Sequence, residues 1–271
     1  MLELSQVKKV SRNHPLAEKI RKQITKALAD FNMITEGDKI MVCVSGGKDS
    51  SILTILLEEI RKKAPMNFTL EAVMLDQKQP GFSADKFRLW LEHEEGIKLH
   101  IIERNTYSIV TEKVKSGAFC SLCSKLRRAI LYDFAFENKF HKMALGHHRD
   151  DVIETTLLNL FYTGQLSTMP AKLKSDDQRN IVLRPLMYVA EKDLIELAEI
   201  WNFPIIPCNL CGSQEGLKRN RMKKLISDLE KEIPNLAASF QNALENVKPS
   251  HLMDQKLFNF KDLKIIEKNE P

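Results

Sequence analysis

Two glycine-containing turns and two pairs of cysteines are where residue types and spacing in this sequence suggest chemistry. The first turn is Ser45-Gly-Gly-Lys-Asp-Ser50, which closes the apolar run Lys39-Ile-Met-Val-Cys-Val. Adjacent glycines let a backbone turn tightly and approach an anion closely. The helix expected to follow offers unpaired N–H groups at the positive end of its dipole. Lys48 adds a mobile positive charge, and Ser45 and Ser50 add hydroxyls. Asp49 would repel a phosphate directly, so its better role is to hold a divalent cation that bridges phosphates. Walker A spacing is absent, because the glycine required five residues before the Gly47-Lys48 pair is Val42 here, and the Rossmann spacing is absent too.

The second turn is Gly146-His-His-Arg-Asp-Asp-Val-Ile-Glu-Thr155. Asp150 and Asp151 fall at an expected helix N-terminus, where the dipole favours negative charge and where either can cap the helix. The competing reading gives Asp151 a part in magnesium binding or in orienting a target group, and ranks it above His147 and His148. Four of the five cysteines form two Cys-x-x-Cys pairs, Cys120/Cys123 and Cys208/Cys211. Such pairs suit a structural zinc or an iron–sulfur cluster, with a redox disulfide as a third reading; the gap between them is longer than in a zinc ribbon. Cys43, inside the apolar run, reads as a buried core thiol.

The elements that must position these residues alternate. Strand-length runs at 39–45, 69–75, 98–102, 142–146 and 180–183 are separated by stretches of helical character at 50–60, 83–95, 122–136, 150–162 and 191–201. This alternation predicts an α/β fold with a parallel twisted sheet and helices on both faces. An N-terminal helix is expected from the spacing of Leu16, Ile20, Ile24, Ala27 and Leu28, and a charged helical extension from Leu217 to Val247. The expected domains are an N-terminal helical segment at 1–35, a catalytic domain at 36–215 carrying the cysteines, and a C-terminal helical extension at 216–271. Ligands in such sheets bind beyond the carboxyl ends of the strands, where the distinctive motifs fall. No apolar run reaches the ~20 residues of a membrane span, and the start has no apolar signal core, so a cytoplasmic protein with no membrane partner is expected. The net charge of +5 is weak evidence for a polyanion, but basic residues cluster, as at Lys125, Arg127 and Arg128 and from Lys218 to Lys224. Such clusters supply phosphate contacts or simply solvate helix faces.

The glycine-rich turn resembles the PP-loop of the ATP pyrophosphatase superfamily, whose fold is adenine nucleotide alpha hydrolase-like. The second turn resembles the Gly-His-x-x-Asp-Asp-x-x-Glu-Thr signature of its tRNA-modifying members. Cys-Ser-Leu-Cys-Ser-Lys-Leu-Arg-Arg from Cys120 and Pro-Ile-Ile-Pro-Cys-Asn-Leu-Cys-Gly-Ser from Pro204 narrow the resemblance to the bacterial tRNA 2-thiocytidine synthetases. Asp76-Gln-Lys-Gln-Pro-Gly81 and Pro249-Ser-His-Leu252 are similar to that family as well, and the likeness runs from about Ala29 to Phe260.

The resemblance implies that Ser45, Gly46, Gly47, Lys48, Asp49 and Ser50 cradle the pyrophosphate portion of ATP, with Asp76 near the nucleoside. Lys48, Asp49 and Asp151 are the implied catalytic residues, with Mg2+ as the cation. It further implies a 4Fe-4S cluster on Cys120, Cys123 and Cys211, leaving one iron open for sulfur and Cys208 as a neighbour or alternative ligand. The implied reaction is adenylation of the C2 oxygen of cytidine 32 in the tRNA anticodon loop, then displacement of AMP by sulfur. A cysteine desulfurase is the implied sulfur source and a homodimer the implied assembly. Thiolation of another tRNA base, or desulfidation of a small thiol, are the alternatives.

Overall fold

The central strands bury apolar side chains on both faces, and that double burial sets the architecture. In the computed structural model, which describes residues 12–113, 119–206 and 214–265, the elements are α1 (Pro15–Asp30), β1 (Lys39–Val44), α2 (Lys48–Lys63), β2 (Thr69–Asp76), α3 (Asp85–Leu89), β3 (Leu99–Glu103), α4 (Thr106–Lys113), α5 (Phe119–Glu137), β4 (Lys142–Ala144), α6 (Arg149–Tyr162), β5 (Lys172–Lys174), β6 (Ile181–Leu183), α7 (Glu191–Trp201), α8 (Gln214–Glu232) and α9 (Leu236–Glu245). Ile40, Val42 and Val44 of β1, with Ala72 and Met74 of β2, point into a core shared with α1, α2 and α7. Met41 and Val73 alternate to the opposite face and pack against Leu131 and Ala135 of α5. Period-2 side-chain alternation on strands covered from both sides produces this pattern.

The six strands lie in the order β3-β2-β1-β4-β6-β5. All neighbours are parallel except β5, which runs antiparallel to β6 with Lys172 opposite Leu183. The sheet is thus parallel with one antiparallel edge strand. Lys172-Leu-Lys174 is too short and too charged to announce a strand; it forms because Ser175 N–H donates to Asn180 O (2.8 Å) and Gln178 takes φ +65°, closing a hairpin. The helix expected over 83–95 is α3 continued by a single π-helical turn at Trp90–Glu94. The chain runs outward from β1 to β2 and β3 on one side and returns to β4 on the other. The topological switch point therefore lies between the carboxyl ends of β1 and β4.

α1 starts at Pro15, whose missing N–H costs nothing at that position, and His14 Nδ1 accepts from Leu16 N–H. Its buried stripe is Ala17, Ile20, Ile24 and Ala27. At the amino ends of β1 and β4, opposite the switch point, Lys142 Nζ donates to Asp38 Oδ2 at 2.5 Å, and both side chains are over nine-tenths buried.

The chain divides into two compact units, Met1–Ile226 and Ser227–Pro271. The second contains α9, entered through a left-handed Asn235 (φ +61°), and an edge-on pair of Phe258 and Phe260 with ring centroids 4.9 Å apart.

Candidate active site

The first strand ends at Val44 and α2 starts at Lys48, so the Ser45–Gly47 turn carries the chain straight onto a helix N-terminus. Ser50 Oγ lies 3.2 Å from Ser45 Oγ and accepts from Ser45 N–H at 3.2 Å, which closes the loop on itself. Gly46 takes φ +80°, a conformation that side-chain-bearing residues rarely adopt. Its carbonyl accepts from Ile206 N–H at 2.9 Å, and a Cβ on it would lie 2.7 Å from the Ile206 side chain. Ile206 is therefore seated on the glycine loop.

The second turn meets the first by direct backbone contact. A Cβ added at Gly146 would lie 2.9 Å from Ser50 N and 3.1 Å from its Cα. Only a glycine allows β4 to run out this close to the start of α2. His148 then caps α6: its Nδ1 accepts from Asp151 N–H (3.3 Å), and Asp151 Oδ2 accepts from His148 N–H (3.1 Å), a reciprocal capping box. Asp150 does not cap its own helix. Its Oδ2 accepts from Glu191 N–H at 2.7 Å and so caps α7.

These caps place a chain of alternating charges across the switch point. Lys48 Nζ is 3.1 Å from Asp49 Oδ1 and 3.6 Å from Glu191 Oε1. Glu191 also accepts from Lys223 Nζ of α8 at 2.9 Å, and Arg219, one turn earlier on α8, donates to Asp151 Oδ1 at 2.8 Å. Burial acts to raise the Asp151 carboxyl, but His148, His147 and Arg219 outweigh it and hold Asp151 below its ordinary range. Burial, which Lys223 and Arg219 only partly offset, pushes Glu154 up to about 7. Glu154 is 1% exposed, and its Oε2 accepts no hydrogen bond. Burial also drops His147 to about 4, so it is neutral near pH 7. Asp49 Oδ1 is buried and accepts no hydrogen bond either; the Lys48 ammonium, 3.1 Å away, is the cation that faces it beside the glycine loop.

Asp76 ends β2, one strand over. Its Oδ1 accepts from Lys78 N–H (2.7 Å), and its Oδ2 pairs with Lys78 Nζ (3.0 Å). Cys123 lies on the first turns of α5, half-buried, with Sγ 3.1 Å from Gln77 Oε1. Position 120 is one helical turn earlier on α5. The Cys120 side chain, Cys208 and Cys211 lie outside the described residues. Cys43 is only partly buried, packed against the second core rather than within it, and burial pushes its thiol up to about 12.

Four contributors were not marked as site residues by the sequence, Arg219 and Lys223 standing out only within the basic cluster from Lys218 to Lys224. Glu191 looks like an ordinary first-turn acid of α7. Arg219 and Lys223 look like a solvated basic face. Arg184, at the end of β6, is 8% exposed, donates to Pro170 O at 2.6 Å and keeps an unpartnered Nε.

Residues 16–227 match the model of the PP-loop domain family. The tRNA-cytidine(32) 2-sulfurtransferase of Bdellovibrio bacteriovorus is 65% identical over 250 residues, covering 92% of this chain and 96% of that protein. The enzyme of the same name from Tolumonas auensis is 52% identical over 252 residues, 93% of this chain and 83% of that one. The chain belongs to the tRNA-cytidine(32) 2-sulfurtransferase family. Members of this family are transferases, and the likeness spans both glycine turns and both cysteine pairs. Among solved structures, the U34-tRNA thiolase NcsA from Methanococcus maripaludis, determined with its 4Fe-4S cluster, superposes with a TM-score of 0.68 at 24% identity, covering 86% of this chain and 81% of that one. It shares the fold of this chain. Among the described residues no helix is long and apolar enough to cross a membrane.

Proposed function

We propose that this chain uses ATP to activate cytidine 32 of a tRNA anticodon loop and replaces the C2 oxygen of that base with sulfur. The observation that carries the reading is the meeting of the Ser45–Ser50 turn with the Gly146–Asp151 turn at the β1/β4 switch point, in a chain whose relatives bear that enzyme name. The cytosine C2 oxygen is a poor leaving group. Its attack on the α-phosphorus of ATP forms a C2–O–P link and breaks the bond to pyrophosphate. Sulfur at the oxidation level of sulfide then adds at C2, the C2–O bond breaks, and AMP departs without any transfer of electrons.

Each protein group has a part in this sequence. The N–H groups at the start of α2 receive the pyrophosphate, and Lys48 turns from Asp49 and Glu191 to the phosphates. Asp49 then holds Mg2+ through the carboxylate oxygen that Lys48 faced. Asp151, whose carboxyl is held below its ordinary range, orients the base or shares the cation. Asp76 borders the nucleoside. The anticodon loop supplies what such an enzyme requires, a base free to leave its stack. Basic residues such as Lys218 and Arg128 are proposed to contact tRNA phosphates.

The thiolates suit a soft metal centre. Cys123 stands at the carboxyl-end side of the sheet beside Gln77, position 120 precedes it by one turn, and Ile206, two positions before Cys208 in sequence, bonds to Gly46. Cys120, Cys123 and Cys211 would hold a 4Fe-4S cluster, with Cys208 beside them, and such a cluster supplies an iron site at which sulfur is held for transfer. A cysteine desulfurase is the proposed upstream source, a homodimer the proposed assembly and the cytoplasm the proposed location. Residues 1–35, 36–215 and 216–271 are the proposed functional segments.

The test separates activation from sulfur transfer. ATP labelled at the α-phosphate should yield AMP and pyrophosphate only with unmodified tRNA. Cys123→Ala should keep activating tRNA while losing the thionucleoside. Release of ADP and phosphate, or AMP formation that ignores tRNA, would refute the reading.

A further inference from the structure

Gln77 directly follows the last residue of β2 and is 9% exposed, yet it takes no part in the proposed ATP chemistry. Its backbone is fixed from one side, since Tyr107 N–H donates to Gln77 O at 3.2 Å and Arg104 N–H to Asp76 O at 3.0 Å. Its side chain is fixed from another. Thr106 Oγ1, on a residue 3% exposed, lies 3.0 Å from Gln77 Oε1, and Cys123 Sγ lies 3.1 Å from the same atom. One amide end thus touches a hydroxyl and a sulfur at once, across 46 positions of sequence.

In the metal-free chain both neighbours can donate, the hydroxyl through O–H and the thiol through S–H, and a carbonyl oxygen answers both. A cysteine bound to a metal is a thiolate with no proton to give. The two ends of a side-chain amide have nearly the same shape, and they exchange places by a half-turn about the last torsion. After that turn the two N–H groups of Nε2 face the same two atoms, one toward the Thr106 hydroxyl oxygen and one toward the sulfur. Threonine accommodates either state, because a hydroxyl both donates and accepts. Asparagine carries the same amide one methylene shorter, and other side-chain types lack the exchangeable donor pair and acceptor.

We propose that Gln77, held by Thr106, is the positioning residue for Cys123 as a metal ligand, its side-chain N–H bonding the ligand sulfur and fixing its orientation. This rests on the cluster reading above and names a partner outside the cysteine set. Outer-shell hydrogen bonds of this kind orient ligands, and bonds to cluster sulfurs raise the reduction potential by favouring the more negative reduced state.

The test uses the full chain, reconstituted anaerobically with iron and sulfide, as wild type, Gln77→Leu, Gln77→Glu and Thr106→Val. Iron content, the cluster's reduction potential by EPR-monitored titration, and the rate of iron loss to a chelator are read for each, with metal-free thermal stability as the folding control. Gln77→Leu and Gln77→Glu should lower the potential and speed iron loss several-fold. Thr106→Val should shift both in the same direction by less. Should Gln77→Leu not fold, Thr106→Val, which keeps the amide and frees it, carries the test. Wild-type potential and wild-type iron loss in the folded variants would overturn the proposal while leaving the cluster reading intact. A wild-type chain that takes up no 4Fe-4S cluster would overturn both.

Discussion

Replacing Gly146 by alanine probes the contact that joins the two turns. The new Cβ would lie 2.9 Å from Ser50 N, 3.1 Å from Ser50 Cα and 3.2 Å from Asp49 C. Carbon contacts are comfortable at roughly 3.5–4.0 Å, so one backbone must retreat by about 0.5 Å. None of the three atoms belongs to a flexible side chain. Overpacking of this kind costs about 1–3 kcal/mol, or roughly 2–5 °C in midpoint temperature for a chain of this size. The same retreat moves the α2 N-terminus away from Asp151, and misplacement on the ångström scale costs about 10²-fold in rate. Gly47→Ala is the control for the fold. Its Cβ would meet only Ser45 Oγ at 3.3 Å, at φ −84°, so stability should change by no more than about 0.5 kcal/mol. Thermal unfolding and tRNA-dependent pyrophosphate release measured side by side decide the matter. Gly146→Ala with wild-type stability and wild-type turnover would show that the two turns do not bear on each other.

Further expectations concern individual charges. Asp49→Asn should cut pyrophosphate release by about 10²–10³-fold and raise the magnesium concentration needed for half activity; an unchanged magnesium titration would remove Asp49 from the cation. Lys142→Met should destabilise the chain by about 3–5 kcal/mol, because it strands Asp38 in a buried site, and adding Asp38→Asn should recover much of that in urea unfolding. Burial acts to raise the Asp38 carboxyl, but Lys142 and Thr35 overrule it and hold it below 3.8, so its contribution is present above that pH and fades as pH falls further. Glu154 has the opposite sign. Its folded carboxyl sits at about 7 against 4.5 in an open chain, so the protonated form's stability is complete below pH 4.5 and is lost as pH rises to about 7. Glu154→Gln should erase about 1–3 kcal/mol of that decline, seen by comparing urea midpoints at pH 5 and pH 8; parallel profiles for variant and wild type would refute it.

Much of the positioning frame was legible. The bounds of α7 fall where its acidic start and Trp201 suggest, and both glycine turns stand at strand ends. Local signals sufficed there, because a strand covered on both faces and a helix with one apolar stripe imprint their periods on the sequence. What could not be read were groups whose meaning lies in remote partners. Asp150 looks like a cap for its own helix and caps α7 instead, 41 positions on. Arg219 and Lys223 share the pattern of a solvated basic face, yet they neutralise Asp151, Glu154 and Glu191. Gln77 sits in a motif that resembles the family's, but no spacing rule brings it to Cys123. β5 has no pattern of its own and exists only as the partner of β6.

The most direct test of the central claim is nucleoside mass spectrometry. Anaerobically reconstituted protein is incubated with unmodified tRNA, ATP, magnesium and sulfide, and the thiolated position is mapped. 2-Thiocytidine at position 32 is expected, formed only when both ATP and the cluster are present. A thiolated uridine, or no thionucleoside at all from cluster-loaded protein with competent tRNA, would contradict it.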